Sequence, residues 1–285
     1  MATLRQLRSR VTSIRSIQRV TNAMYMVAAA KLRRAQEALG AARPYARHLD
    51  GVLHDLTVGM EESEHPLLRQ RPEVRRAAMV VITADRGLCG GFNGAIGRRA
   101  LAQIVQNPDV QHQVITVGRK GRDLLRQRGH EAARHHADVF GHLRFARAVE
   151  IGGSLTARFA RGEVDRVLLV FSEFRSVVQQ VPVVEQLLPV AGARSDGGRA
   201  DLICEPEPEA LLEALVPRRV TFQIWRALLE SNAGEQAARM QAMDSATKNA
   251  GDLIKQLTRE MNKQRQTSIT LELMDIVGGA EAVAH

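Results

Sequence analysis

Aromatic residues are scarce in this chain: Phe, Tyr and Trp together make up 4% of its 285 residues. Hydrophobic residues nevertheless reach 45%, so any core must be built from Ala, Leu, Val, Ile and Met, a helix-favouring composition. Cysteine is nearly absent. The two present, Cys89 and Cys204, form no CxxC or Cys/His spacing, which excludes a zinc ribbon or a disulfide framework and leaves a reduced, intracellular chain as the expectation. No stretch approaches the roughly 20 apolar residues of a membrane span. No Gly-Lys-Ser/Thr occurs, so a Walker A phosphate loop is excluded. The length suits one large domain or two modest ones.

Acid is missing where base is plentiful. The formal net charge is +9, and residues 1–60 hold ten Lys/Arg against three acids, Glu37, Asp50 and Asp55. Such a face is either a solvated helix surface or the seat of an acidic partner. The acid-free, Arg- and Ser-containing opening resembles a targeting peptide. Its apolar run, however, spans only residues 23–30 and is followed by Lys31, Arg33 and Arg34, and a helical repeat passes straight through it. It reads as mature structure.

That repeat is the main positive signal. Leu4, Leu7, Val11 and Ile14, then Ala28, Leu32, Ala35, Leu39, Ala42, Ala46, Leu49, Leu53 and Leu56 recur in steps of three and four. This is a heptad seam on a helix of roughly 80 Å. At Gln18, Thr21 and Tyr25 the seam slots are polar, and the expectation is a stammer-like slip of the apolar face to Ile17, Val20, Met24 and Val27. Pro44 is expected to bend the helix or to remove a hydrogen bond. The carboxyl end repeats the pattern with Met240, Met243, Thr247, Ala250, Ile254, Leu257 and Met261, then Gln264, Ser268 and Leu271, before Gly278 and Gly279. Two long helices with narrow apolar stripes can bury them against each other as an antiparallel coiled coil.

The middle is different. Short β-branched runs at 79–83, 114–117 and 167–171 read as buried parallel strands. Helical stretches lie between them near 93–105, 119–128 and 145–161. Strand alternating with helix gives an α/β layer, and residues 191–208 read as a loop or linker from their Gly and Pro content. The fold class is therefore α/β: a long antiparallel coiled coil of amino- and carboxyl-terminal helices plus a Rossmann-like α/β domain. The expected divisions are 1–60, 75–190 and 209–285.

Chemistry is sparse. Residues 83–94 (TADRGLCGGFNG) sit between a strand and a helix, where phosphate loops occur, but the spacing is neither GxGxxG nor Walker A. A structural glycine turn is the better reading, with Asp85 and Arg86 facing a partner. Cys89 has no His within twenty residues on either side and reads as a packed thiol rather than a nucleophile. His135, His136 and His142 lack a completing carboxylate spacing and read as surface residues rather than metal ligands. No catalytic, cofactor-binding or metal residue is assigned.

Three segments in fixed order carry a resemblance. Residues 17–36 (IQRVTNAMYMVAAAKLRRAQ) with 42–45 (ARPY), the run TADRGLCGGFN at 83–93, and residues 239–254, 262–270 and 276–279 at the carboxyl end resemble the γ subunits of F-type ATP synthases. The resemblance implies a central shaft turning inside a ring of α and β subunits (α3β3), with the α/β domain as a foot against the ε subunit and the c-ring. It implies a non-catalytic rotor subunit, one copy per complex, with no nucleic acid and no cofactor, which couples proton flow to ATP synthesis in β. It points to a peripheral place on the cytoplasmic side of a bacterial inner membrane, since the matching helix begins within a few residues of Met1. By position it implies partner contacts at Met24, Arg33, Arg34, Asp85, Arg86, Arg265, Gln266, Thr270 and Glu272. Leu271, Met274 and Asp275 depart from the family pattern. The alternative is a basic coiled-coil protein that binds nucleic acid, which predicts strongly salt-dependent DNA affinity. A second rival, an α/β enzyme with helical arms, needs a phosphate loop or polar triad that the sequence lacks.

Overall fold

A computed structural model describes residues 3–57, 65–190 and 207–284. Cys204 and most of the expected linker at 191–208 lie outside the described residues. Ten elements follow in order: α1 (Leu4–Thr57), β1 (Arg76–Ile82), α2 (Phe92–Gln106), β2 (Gln111–Val117), α3 (Arg119–Gln127), β3 (Arg134–His136), α4 (Phe145–Ala160), β4 (Arg166–Phe174), β5 (Gln180–Leu188) and α5 (Pro208–Ala284). The chain forms two compact units, one of Met1–Ala28 with Met240–His285, the other of Ala29–Arg239.

In the first unit the amino end of α1 runs antiparallel to α5. Leu7, Val11 and Leu257 are buried together, with Ile14, Ile254 and Met261 packed around them. Stability here comes from this narrow stripe rather than from helix propensity, since helices survive in proteins mainly through an apolar face.

The second unit holds a five-stranded sheet in the order β3-β2-β1-β4-β5. Strands β1–β4 are parallel, and β5 returns antiparallel to β4. β1 is central, and its residues 77 to 82 are exposed by no more than 1%. Alternate residues of a strand point to opposite faces. Met79 and Val81 accordingly pack with Phe92, Ile96 and Leu125 of α2 and α3. Ala78, Val80 and Ile82 share the other core with Ile151, Leu155 and Phe159 of α4, with Val216, Val220, Ile224 and Leu228 of α5, and with Leu49, Leu53 and Leu56 of α1. Removing one of these large side chains, Phe159 for example, costs about 3–5 kcal/mol. Arg219 of α5 closes on Asp50 of α1 at 2.8 Å beside the same core.

α1 passes through Pro44 as one helix. The missing N–H costs a single bond, to the carbonyl four residues earlier, and does not end the element. The three predicted strands and the internal helices are where the sequence put them. β3 and β5 are additions. β3 has only three residues, and β5 alternates too weakly with Pro182 inside it to declare itself; as an edge strand it tolerates that proline.

Candidate functional site

The seam of the helical pair runs without the expected slip. Gln18, Thr21 and Tyr25 remain partly buried, while Ile17, Val20 and Val27 are 55%, 58% and 56% exposed. The polar slots are kept because they satisfy one another across the pair. Thr21 Oγ1 and Thr247 Oγ1 are 2.8 Å apart, and Gln18 Nε2 donates to the Thr247 carbonyl at 3.5 Å. One threonine hydroxyl donates across the seam, and the other donates to its own helix, to the carbonyl of Gln18 or of Met243. A small polar cluster with its hydrogen bonds made fixes register at little cost.

Ile17, Val20, Met26 and Val27 are thereby left on the outer surface of the stretch of α1 before Glu37, which carries no acid, beside the exposed Arg8, Arg10, Arg15 and Arg19. Met24 is partly buried at the border of this surface.

At the other end the expected seam stops early. Among the residues whose burial is described, Gln264 is the last partly buried one of α5, and Ser268 and Leu271 are exposed. α1 begins at Leu4, which leaves nothing of α1 to cover them. Arg265, Gln266, Thr270 and Glu272 all lie exposed on this bare stretch, and the Thr270 hydroxyl is turned back onto the Gln266 carbonyl at 2.9 Å. Ile269, Leu271, Leu273, Met274, Ile276 and Val277 are exposed beside them. Helix α5 continues to Ala284, straight through Gly278 and Gly279.

In the second unit Arg33 and Arg34 are exposed, and Arg33 pairs with Glu37 at 3.1 Å. The pair is an open i,i+4 contact worth only about 0.3–0.5 kcal/mol, so Arg33 gives it up readily to another acid.

The glycine turn follows β1. Asn93 holds it closed: its Oδ1 accepts from the Ala84 amide at 2.9 Å, and its Nδ2 donates to Arg86 O and to Cys89 Sγ. Asp85 is used inward. Its Oδ1 accepts from the amides of Arg119 and Asp138 at 3.1 and 3.2 Å, tying the turn to the start of α3. Arg86 is exposed. Cys89 is 1% exposed, and burial pushes its thiol above the ordinary value although Arg239 pulls the other way. A protonated, buried thiol is no nucleophile.

Between β1 and β4 the strand order reverses, and the carboxyl ends of strands at such a point are where a doubly wound sheet ordinarily receives a ligand. Here α5 occupies that place. A Cβ built on Gly234 stands 3.2 Å from the Phe92 ring and 3.3 Å from Ser172 Oγ, and Ser231 Oγ accepts from the Ser172 amide. One turn on, Arg239 donates to Glu235 at 2.6 Å and to the Gly87 carbonyl of the turn at 3.2 Å. Glu235 is 5% exposed, and burial raises its pKa against the pull of Arg239. Glu230 is similarly raised by burial and paired with Arg226. Sequence reasoning missed Asn93, Gly234, Glu235 and Arg239. The available signal was the clustering of small residues at Ser231, Ala233, Gly234, Ala237 and Ala238 inside a long helix.

His142 is exposed as expected, but His135 and His136 differ from expectation. His135 and His136 form β3 and are partly buried, with His135 Nδ1 2.9 Å from Thr116 Oγ1. Among the described residues no group of three or more His, Cys, Asp or Glu is placed to hold a metal ion. No helix among them is long and apolar enough to cross a membrane.

The class defined by these features is a protein of two paired terminal helices with an inserted doubly wound layer whose ligand crevice is filled by its own helix. The family described as ATP synthase matches residues 3–283. An ATP synthase gamma chain of Chlorobium phaeobacteroides (strain DSM 266) is 47% identical, covering 99% of both chains. One from Anaeromyxobacter sp. (strain Fw109-5) is also 47% identical, over 99% of this chain and 100% of that one. The central stalk/c-ring structure of the Tetrahymena thermophila mitochondrial ATP synthase superposes with a TM-score of 0.62 at 25% identity, covering 80% of this chain and 99% of that one. A chain of the Euglena gracilis mitochondrial enzyme shares the fold, with a TM-score of 0.70 at 18% identity over 98% and 94% of the two chains. The chain belongs to the ATP synthase gamma-chain family. Its function is that of a central-stalk rotor subunit in an ATP-synthesising complex.

Proposed function

We propose that the chain is the non-catalytic shaft through which ion flow in a c-ring drives ATP synthesis in the β subunits of an α3β3 ring. The observation that carries the non-catalytic reading is the filled crevice: Gly234 and Phe92 close the place where a nucleotide would meet the glycine turn. Phosphoryl chemistry needs preorganised groups around the phosphates, and the turn's polar groups are spent on Asn93, Arg119 and Arg239.

Coupling asks for something else. Three identical β subunits are held in different states only if the shaft offers each a different interaction energy. A two-helix pair supports this because its sides differ. The paired stretch of α1 is acid-free with Ile17, Val20 and Val27 outward, and that of α5 carries Asp244, Asp252 and Glu260 among its lysines and arginines. Met24, Arg33 and Arg34 face acidic turns of β, and Arg86 extends the basic surface from the glycine turn. Arg265, Gln266, Thr270 and Glu272 present donors and acceptors on the uncovered end of α5. Asp85 acts behind Arg86 by fixing the turn. The sheet-bearing unit serves as the foot for the ε subunit and the c-ring. The chain is held peripherally, on the cytoplasmic side of a bacterial membrane.

The test is co-expression with α and β subunits of a bacterial relative, followed by gel filtration and ATPase assay. A single α3β3-containing peak with this chain at one copy is expected. The purified chain alone is expected to hydrolyse no ATP above a no-protein control. Turnover by the single chain would refute the non-catalytic reading. Salt-sensitive DNA binding without α3β3 assembly would favour the nucleic-acid alternative.

A further inference from the structure

The glycine turn after β1 holds a conformation that its own residues disfavour. Leu88 stands at φ +60°, the left-handed region that a residue with a Cβ rarely enters, and its side chain is 64% exposed. Such backbone persists only where the surroundings impose it. One restraint is Asn93 of α2, and the other comes from α5. Arg239 Nη2 donates to the Gly87 carbonyl at 3.2 Å, while its Nη1 donates to Glu235 Oε1 at 2.6 Å. The guanidinium is fixed at one end by a buried carboxyl group and with the other end grips the turn one residue before Leu88.

The anchor is itself under tension. Glu235 is 5% exposed, and its buried Oε2 meets no hydrogen-bond partner among the described residues. A carboxylate satisfied on one side only is costly to keep charged away from water. Burial raises its pKa above the ordinary 4.5; Arg239 pulls it down, Asp85 of the turn pushes it up, and Lys31 of α1 pulls it down. Cys89 of the turn, its own thiol raised by burial, also faces it. With Asp85, Gly87 and Cys89 as neighbours, lifting the turn lets water reach the carboxyl group. The open turn then favours the charged acid and the closed turn the neutral one, which still accepts from Arg239 through Oε1.

We propose that Arg239 and Glu235 are positioning residues that clamp the glycine turn, and that the clamp is proton-linked: the turn closes over an uncharged Glu235 and opens more often when Glu235 is charged. The contribution of Glu235 to closure is full below pH 4.5 and is lost as pH rises through the raised value. The clamp sets how Arg86 and Leu88 are presented. That consequence rests on the rotor reading above, whereas the clamp itself does not.

Cys89 reports the opening, because it is 1% exposed within the turn. The full chain carrying Cys204→Ser, which leaves Cys89 as its one thiol, is labelled with an activated pyridyl disulfide, and each rate is divided by that of the urea-unfolded chain at the same pH. Between about pH 5 and 8 the normalised rate is expected to rise with pH. Glu235→Gln should hold it at the wild type's acid level and flatten the profile. Arg239→Ala should raise it about tenfold or more at pH 7, the loss of a charge-assisted hydrogen bond, with a urea midpoint shift too small to account for the change. Arg239→Lys, which keeps the charge but not the fork, should raise it severalfold and serves as the probe if Arg239→Ala fails to fold. Wild-type labelling rates in both Arg239 variants overturn the clamp. A Glu235→Gln rate as high as that of Arg239→Ala, or parallel pH profiles for Glu235→Gln and wild type, overturns the proton linkage. None of these readings needs α3β3, so failure of the chain to assemble with it bears on the rotor reading alone.

Discussion

Replacing Leu257 by Asp places a charge in the seam of the helical pair. Leu257 is 8% exposed and touches Leu7 and Val11, with Ile254 and Met261 on its own helix beside it. Deleting a buried leucine side chain costs about 2–5 kcal/mol, and the lower end applies because a two-helix interface open to water on both sides can close partly around the gap. The carboxylate adds a desolvation cost of about 1–3 kcal/mol, since it has no built-in donor in the seam. Arg8 and Arg10 lie between Leu7 and Val11 in sequence and are exposed, so a rearranged side chain can reach the new acid and recover part of this. The net expectation is about 3 kcal/mol. That is a large loss for a unit whose buried apolar side chains, among the described residues, are Leu7, Val11, Ala28, Met243, Ala250 and Leu257. The helices should separate locally, and ATP hydrolysis by the assembled complex should continue while proton pumping falls. The assay is the ratio of proton transport to ATP turnover in inverted vesicles, beside the chain's thermal melt by circular dichroism. An unchanged ratio in a correctly assembled complex, with an unchanged melt, would show that the seam at Leu257 bears no torque and that the packing argument is wrong.

Thr21→Val alone should cost about 1 kcal/mol by breaking the 2.8 Å contact with Thr247, whereas Thr21→Val with Thr247→Val should cost less than the sum of the singles; urea melts in a double-mutant cycle measure the difference, and additivity would refute the pairing. Gly118 has φ +90° and a built Cβ would lie 2.0 Å from the Thr83 carbonyl oxygen, so Gly118→Ala should lower stability by about 2 kcal/mol or more, and a melting temperature within error of wild type would refute the close approach. His136 is held below its ordinary 6.5 by burial, against the pull of Glu150 and with Arg134, His135 and Arg147 adding to the lowering. The unfolded chain therefore takes up a proton near pH 6.5 that the folded chain refuses until lower pH, so stability is constant above that value and falls as pH drops below it. His136→Asn should flatten the decline in urea midpoint between pH 7 and 5, though not abolish it, because His65 and His112 are lowered by burial too; parallel curves for variant and wild type would refute the assignment.

The parts legible in the sequence were those with long periodicity. Heptads over the two terminal segments and β-branched runs at 79–83, 114–117 and 167–171 announce buried stripes and buried strands because burial acts on every residue of such elements. The slip expected around Gln18, Thr21 and Tyr25 failed because hydrophobicity alone treats a polar seam residue as misplaced. Thr21 is acceptable there only because Thr247, far away in sequence, supplies its partner. The seam was also carried too far, to Leu271, since periodicity on one helix does not say where the other begins. The glycine turn was found, but its inward use of Asp85 and its closure by Asn93 and Arg239 depend on tertiary distances that no spacing encodes. The partner contacts proposed at the carboxyl end came from resemblance rather than from pattern, and the residues proposed for them lie on the exposed stretch of α5.

The pairing of Gln18 with Thr247 joins residues 229 positions apart. During synthesis the amino-terminal stripe emerges first and its mate last. Leu7, Val11 and Ile14 have nothing to bury against until almost the whole chain has left the ribosome, and loop closure over such a span is slow to be rewarded. For that interval the cell holds a cationic, one-sidedly greasy helix, a shape that adheres to membranes and to nucleic acid. The absence of acid from its first 36 residues, which suits the finished helix, is thus a hazard of its youth. Shortening the delay, by a circular permutation that makes α1 and α5 neighbours in sequence, should raise the soluble yield of the chain when it is expressed without its partners.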